Sequence, residues 1–308
     1  MLLVRFGVPF WVLAVVFGHN AMFWYRMFTR LAKFNLTGTT VYEKEQMPQH
    51  ILADEFHVRI RKTKAYIATV VGGACFLGAE ASWQANEEKL REAYGVFKQE
   101  ACSLVADYQP ITINTDGWTA TRNALRSLFV KTMIIECFLH AFIKIRDRAT
   151  KKLQAFYAEA ADKVWNIYHS ESKRQMGRQI RRLREWAIKK LTQTAMKDNI
   201  LKLCKKKLEW FVHFDYPQAH RTSAHLDRTM KIMERHAINS QMFHSDLSAT
   251  SKNFRALALL YNFAPSCPAV TREHPELISP AARLNGFVYS ECWLENLLVA
   301  ASLNGFKT

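Results

Sequence analysis

Apolar and polar positions along the first half of the chain predict a series of strands followed by a helix. Three β-rich stretches come first, at residues 50–60, 64–71 and 75–81, and Gly72-Gly73 separates the last two. Short strands joined by turns in this way are typical of an antiparallel meander. The pattern becomes helical at residues 87–104, where apolar side chains recur at helical spacing and charged ones face outward.

A fourth strand is predicted at the apolar run 111–113, and it leads to Asp116. A helical pattern follows, and a second apolar run at 132–135 then leads to Cys137 and His140. An acidic residue at the carboxyl end of a strand lies where open α/β sheets bind ligands. An Asp in this position can instead cap the following helix, and both interpretations of Asp116 remain open.

The predicted order of elements is β-β-β-α-β-α-β, which is the ribonuclease H-like order within the α/β class. In a mixed sheet of this kind the first and fourth strands lie side by side. Asp54, in the first strand, and Asp116 are therefore expected to be neighbours in space. Glu55 follows Asp54 directly, so its side chain points to the opposite face of the strand and we expect a minor role for it.

The stretch from residue 142 to about residue 211 is predicted to be helical and is very basic. A charged run is usually a solvated helix face, and that simpler interpretation holds for any single lysine. The density of positive charge nevertheless favours a track for a nucleic-acid backbone, because each phosphate contact adds a salt-dependent increment to binding. The candidate DNA-binding residues are Lys173, Arg174, Arg178, Arg181, Arg182 and Arg184.

The last third of the chain is predicted to be mainly helical. A helix at 222–235 contains Asp227, which recurs with Met230, Lys231 and Glu234 on one face that could point at the sheet. A buried helix is expected at 254–263, a proline-rich loop at 264–282 and a short amphipathic helix around 293–301.

Composition narrows the class of partner. The 308 residues include 43 Lys and Arg against 27 Asp and Glu, which gives a formal net charge of +16. Such an excess favours a polyanionic partner, with nucleic acid first and an anionic membrane surface second. The six cysteines form no CxxC pair, so we expect reduced, mostly buried thiols of an intracellular protein and no zinc site.

The first 18 residues are strongly apolar. They could be a signal-peptide core or a short membrane segment, and a membrane-associated basic protein is the hypothesis that rests on them. Arg5, Gly7 and Pro9 leave an unbroken apolar run well short of the roughly 20 residues that a spanning helix needs. No small-residue cleavage site follows. We therefore expect a buried segment.

Several motifs together resemble bacterial insertion-sequence transposases of the DDE type. They are LADEFHxRxRKxKxYIATVV around Asp54, IxNTDGWxAT around Asp116, and ECFLHxFxKIRDR after it. The pair Cys137-x-x-His140 resembles the C-x-x-H signature of the Mutator-like branch. The later segment LDRTMKIMER and the sequence up to WLENLLVAASL are similar to the C-terminal part of the same proteins, so the resemblance covers residues 46–308.

This resemblance implies a ribonuclease H-like domain with a basic helical insertion before the third acidic residue. Residues 1–45 would be a lead-in and a remnant of an N-terminal DNA-binding region, 46–141 the first part of the core, 142–215 the insertion, and 216–308 the part that completes the core. It also implies cutting and rejoining of double-stranded DNA by a homo-oligomer in the bacterial cytoplasm, associated with the nucleoid and not with a membrane.

Carried over by motif, the catalytic and metal-binding acids are Asp54, Asp116 and Asp227, which would hold two Mg²⁺ or Mn²⁺ ions. The third acid of the family is normally Glu, and Glu234 and Glu295 are the alternatives to Asp227. Cys137 and His140 have three interpretations: a buried structural pair, a contact to DNA, or half of a zinc site. The alternative function is a catalytically inactive, truncated remnant that only binds DNA.

Overall fold

A computed structural model describes residues 1–150, 153–240, 243 and 245–305, so residues 151 and 152 of the predicted basic helical stretch lie outside the described residues. The strands are β1 (His50–Ile60), β2 (Thr63–Gly72), β3 (Cys75–Ser82), β4 (Thr112–Thr115) and β5 (Met133–Glu136). They form one mixed sheet in the order β3-β2-β1-β4-β5. The predicted mixed α/β class and the predicted proximity of the first and fourth strands are therefore confirmed.

The predicted meander is present at one side of the sheet. Strands β1 and β2 pair antiparallel with Asp54 opposite Thr69, and β2 and β3 pair antiparallel with a register shift between Val70 and Val71. Most of the three strands is buried because their alternating side chains pack on both faces. The meander therefore holds Asp54 on a rigid, fully paired strand.

Helices occupy most of the remaining chain. Those before the fourth strand are α1 (Leu2–Phe6), α2 (Phe10–Phe17), α3 (Ala21–Thr29), α4 (Leu36–Thr40) and α5 (Glu87–Leu104). The next are α6 (Thr119–Leu128), α7 (Phe138–Arg146), α8 (Gln154–Tyr168), α9 (Lys173–Lys190), α10 (Ala195–Lys205) and α11 (Lys207–Asp215). The last are α12 (Ala224–Asn239), α13 (Leu247–Phe263), α14 (Pro268–Thr271), α15 (Pro280–Asn285) and α16 (Trp293–Asn304). Short 3-10 helices lie at Arg30–Lys33 and Lys44–Gln46.

The chain forms two compact units. The first contains Met1–Ile113, Trp118–Thr132 and the chain from His225 onward, and the second contains Asn114–Gly117 and Met133–Ala224. The first unit thus holds β1, β2, β3 and the long buried helix α13. The second unit holds β5 and the basic helices α7 to α11.

In the first unit, helix α13 covers the edge strand β3. The backbone N–H of Phe76 donates to Oδ1 of Asn262 over 2.9 Å, and Nδ2 of Asn262 donates to the carbonyl of Phe76 over 2.7 Å. Ser251 accepts the N–H of Ala81 in the same way. An unpaired strand edge is a template for aggregation, and these polar side chains of a buried helix satisfy it instead.

In the second unit, helices α7 to α11 enclose a separate hydrophobic core. It includes Phe138, Ile145, Leu183, Trp186 and Trp210, all buried. Trp186 and Trp210 therefore pack the helices together, whereas Trp165 is 39% exposed. Because their apolar faces turn inward, the basic side chains of the same helices point outward.

The expectation for residues 1–18 is wrong for the second half of the segment. Leu3 and Val4 of α1 are buried, but α2 buries none of its residues, and Trp11 and Val15 are 62% and 76% exposed. The cause is local. Gly7, with φ +67°, ends α1, and Pro9 precedes α2, so the apolar run is split into two short helices, of which α1 packs on α13. In the described part of the chain, no helix has the length and apolarity that crossing a membrane requires.

The proline-rich stretch 264–282 is only partly the predicted loop. Pro268 and Pro280 are each the first residue of a helix, α14 and α15. Proline is favoured there, because its fixed φ suits the first turn and its missing N–H would have had no partner in the helix.

Candidate active site

Asp116 is the residue that follows strand β4, whose four residues are all buried. Its own side chain is half-buried. The helix that follows, α6, has Trp118 as its N-cap residue and has no side-chain capping hydrogen bond. Asp116, two residues before Trp118, is therefore not the N-cap residue of α6.

Gly117 sets the turn after Asp116. Its φ is +86°, in the left-handed region that favours glycine, and its N–H donates to Oγ1 of Thr115 over 3.1 Å. A Cβ atom on this residue would lie 2.5 Å from Cδ of Glu136. Position 117 therefore needs glycine both for its backbone conformation and for the close approach of the Glu136 carboxylate.

Glu136 is the last residue of β5, and the sequence interpretation missed it. It is 4% exposed, and two ammonium groups neutralise its carboxylate. Nζ of Lys144 lies 3.3 Å from Oε1, and Lys206 forms an ion pair with Oε2. Nζ of Lys144 also donates to the backbone carbonyl of Asp116 over 3.1 Å. Glu136 directly follows the second apolar run, much as Asp116 follows β4. This position was the sequence signal that could have identified Glu136.

Asp54 lies in the middle of β1, in the first unit. It is half-buried, and the N–H of Glu55 donates to its Oδ1 over 2.8 Å. Its antiparallel partner Thr69 has Oγ1 3.7 Å from Sδ of Met233, on α12. Directly opposed residues share one face of a sheet, so Asp54 projects on the face that α12 covers.

Glu55 projects on the other face, as its position in the strand predicted. It is 6% exposed, and its carboxylate accepts hydrogen bonds from the Tyr94 hydroxyl at 2.6 Å and from Oγ1 of Thr121 at 2.9 Å and 3.0 Å. These partners belong to α5 and α6. Glu55 therefore links the sheet to two helices.

Asp227 lies in the first turn of α12 and is half-buried. The buried side of this helix consists of Leu226, Thr229, Met233 and His236. Asp227 lies beside that stripe, whereas Lys231 and Glu234, which follow it at i+4 and i+7, are exposed. Of the four residues predicted to share one face, Asp227 and Met230 are therefore half-buried, and the other two are exposed.

The two alternative third acids differ from Asp227 in their exposure. Glu234 is exposed on α12. Glu295 is exposed in the first turn of α16, where its Oε2 accepts a hydrogen bond from the Ser290 hydroxyl over 2.9 Å. Asp227 is the one of these three acids that is partly enclosed by the fold.

Asp54, Asp116 and Asp227 each offer carboxylate oxygens, the type of ligand that Mg²⁺ and Mn²⁺ prefer. Within residues 1–150, 153–240, 243 and 245–305, no group of three or more His, Cys, Asp or Glu side chains is positioned to hold a metal ion.

Cys137 and His140 share Ser223 as a partner inside the second unit. The Ser223 N–H donates to Sγ of Cys137 over 3.1 Å, and the Ser223 hydroxyl lies 3.4 Å from that sulfur and 3.2 Å from Nδ1 of His140. Burial by itself raises the pKa of the Cys137 thiol, but hydrogen bonds from His140 and Ser223 outweigh it, so the pKa lies below its ordinary value. These contacts support the interpretation of a buried structural pair.

Helix α9 separates its apolar and basic residues onto opposite faces. Met176, Ile180, Leu183, Trp186 and Ala187 are buried. The six candidate DNA-binding residues, Lys173, Arg174, Arg178, Arg181, Arg182 and Arg184, are all exposed. Lys173 forms an ion pair with Asp215, and Nε of Arg181 lies 3.8 Å from Oε1 of Glu185. At 1.5 Å per residue, Arg174 to Lys189 spans roughly 22 Å of basic surface.

Comparisons with known proteins do not identify the chain. No protein-family model matches the sequence, and a search of curated proteins returns no match.

Proposed function

We propose that this protein is a DDE-type transposase that cuts and rejoins double-stranded DNA on a ribonuclease H-like sheet. The observation that carries the proposal is the strand order, in which β1 is the neighbour of β4. The motif around Asp54 belongs to β1, and the motif around Asp116 begins in β4. The N-cap residue of the helix that follows β4 is Trp118, so Asp116 does not occupy that position.

In this proposal Asp54, Asp116 and Asp227 hold two Mg²⁺ or Mn²⁺ ions, which would activate the attacking oxygen and stabilise the leaving oxygen of a displacement at phosphorus. The carboxylates supply the negative charge and the hard oxygen atoms that such ions require. The nucleophile is water when the element end is nicked, and the freed 3′-hydroxyl when the end is joined to target DNA.

The basic face of α9 holds the DNA backbone in this proposal. Phosphate contacts from arginine and lysine position a duplex without reading its sequence. The chain would act as a homo-oligomer on DNA, in the bacterial cytoplasm at the nucleoid.

A DNA-binding remnant without catalytic activity is the second candidate. It is favoured by the exposed basic side chains of α9, which do not depend on the acidic residues. Binding and cleavage therefore need to be measured separately.

The decisive experiment measures nicking of duplex DNA that contains the sequences flanking the coding region, with and without Mg²⁺. The purified wild-type chain is compared with Asp116→Asn and with Asp147→Asn, a matched control whose carboxylate is exposed and pairs with Arg146. We expect Mg²⁺-dependent nicking by the wild type and the control, and background nicking by Asp116→Asn. Equal cleavage by all three proteins would refute the assignment of Asp116, and DNA binding without any cleavage would favour the remnant.

A further inference from the structure

The cluster of Glu136, Lys144 and Lys206 joins one buried negative charge to two positive charges. Glu136 is 4% exposed, whereas the side chains of Lys144 and Lys206 are 50% and 28% exposed. A buried carboxylate is costly unless it is paired, so at least one lysine is needed to offset it. The second lysine leaves the cluster with a net positive charge beside Asp116.

Lys144 is the more exposed of the two cations, and its ammonium group can donate a further hydrogen bond. An ammonium group has three N–H donors. Two of them are directed at the Asp116 carbonyl and at Oε1 of Glu136. Since the side chain is half exposed, the third can point outward to an anion.

The C-x-x-H pair contributes to this arrangement through helix α7. His140 and Lys144 are four residues apart and therefore lie on one face of the helix. His140 contacts Ser223 at one end of that face, and Lys144 contacts Glu136 and Asp116 at the other. His140 also hydrogen-bonds to Cys137, which directly follows Glu136, so both His140 and Lys144 hold α7 against the end of β5.

We propose that Lys144 is an anchor for a DNA phosphate beside Asp116, and that Glu136 is the positioning residue that aims it. The proposal deepens the proposed function and rests on it for the identity of the anion, a phosphodiester of the DNA backbone. Glu136 acts through Lys144 and does not itself touch the substrate. A merely structural ion pair is the rival explanation.

Two variants with the same change in charge separate these explanations. Glu136→Gln and Glu185→Gln each remove one negative charge, and Glu185 is exposed on α9, where it pairs with Arg181 at 3.8 Å. Electrostatics alone predicts tighter DNA binding for both. A positioning role predicts that Glu136→Gln lowers the cleavage rate on the order of 10- to 100-fold through misplacement of Lys144, while Glu185→Gln does not.

A double-mutant cycle tests whether Glu136 acts through Lys144. Lys144→Met is expected to lower cleavage to a similar extent as Glu136→Gln, and the double variant is expected to be no slower than either single variant. If the two effects multiply instead, the residues act independently and the proposal is overturned. Thermal unfolding of each variant is measured alongside, and if Glu136→Gln fails to fold, Lys144→Met carries the test.

DNA binding gives a readout that does not depend on cleavage. The slope of log Kobs against log salt is expected to fall by about 0.9 in Lys144→Met, because one phosphate contact is lost. An unchanged slope would overturn the anchor even if the wild type cleaves DNA. A reduced slope in a wild type that never cleaves would support the anchor and refute the proposed enzyme, so the two failures are distinguishable.

Discussion

The carboxyl carbon of Glu136 lies 2.5 Å from the place that a Cβ atom of residue 117 would occupy. The turn after Asp116 and the buried carboxylate at the end of β5 are therefore in close contact. Any side chain at position 117 would have to move the Glu136 carboxylate away from its two lysines.

We expect Gly117→Ala to destabilise the protein and to impair cleavage. A left-handed backbone conformation costs a non-glycine residue roughly 1–2 kcal/mol, and the collision with Glu136 adds to this. Chemical denaturation measures the loss. The matched control is Gly95→Ala in α5, where a Cβ atom meets nothing within 4 Å. There alanine is expected to stabilise by up to about 1 kcal/mol, and equal behaviour of the two variants would contradict the role given to Gly117.

The basic face of α9 is expected to carry much of the salt-dependent DNA affinity. Replacing Arg174, Arg178 and Arg181 by alanine should lower the slope of log Kobs against log salt by about 2.7, at about 0.9 for each phosphate contact. A triple alanine variant of Lys44, Arg91 and Arg272 is the control. It removes the same charge from exposed positions outside α9. Similar losses in the two triple variants would show that only net charge matters.

His236 is expected to make stability fall in mild acid. Burial lowers its pKa to about 4, although a hydrogen bond with Asn253 opposes the shift. The ordinary value near 6.5 applies to the unfolded chain, so between these two values the unfolded state binds more protons. This contribution is fully present above about pH 6.5 and is lost as the pH falls toward 4.

Urea denaturation at about pH 7 and about pH 5 tests this linkage. His236 alone should account for a loss of about 2 kcal/mol over that interval. His236→Gln keeps a donor for Asn253 but does not titrate, so its pH dependence should be flatter by that amount. Parallel pH profiles for the variant and the wild type would contradict the assignment.

Arg255 is expected to be essential for the stability of the first unit. It is 4% exposed, forms an ion pair with Glu100 and lies 3.5 Å from Oε2 of Glu80. Glu100 also accepts the N–H groups of Leu36 and Thr37 at the start of α4. Because Arg255→Met leaves Glu100 buried without its cation, we expect a loss of about 3–5 kcal/mol in the free energy of unfolding.

The control for Arg255 is Lys252→Met, which changes an exposed cation on the same helix. It should alter the free energy of unfolding by less than about 0.5 kcal/mol. Adding Glu100→Gln to Arg255→Met should recover part of the loss, because the unpaired carboxylate is removed. No recovery would mean that packing, and not charge, explains the effect.

The sequence by itself determined the local elements and their faces. β-rich composition predicted β1 to β3, and helical spacing predicted α5 with the bounds that the structure has. It also predicted that Glu55 faces away from Asp54, since strand geometry repeats every two residues. These properties depend on local composition and on periods of two or 3.6 residues, both of which a short stretch of sequence displays.

Only the tertiary structure decided which residues find partners. It made Trp118 the N-cap residue of α6, left α2 exposed despite its apolar sequence, and paired Glu136 with Lys144 and Lys206. Lys206 is distant from Glu136 along the chain, and no local pattern records that they meet. Burial and pairing are set by long-range packing, and for that reason the surroundings of Asp116 could be described only from the folded protein.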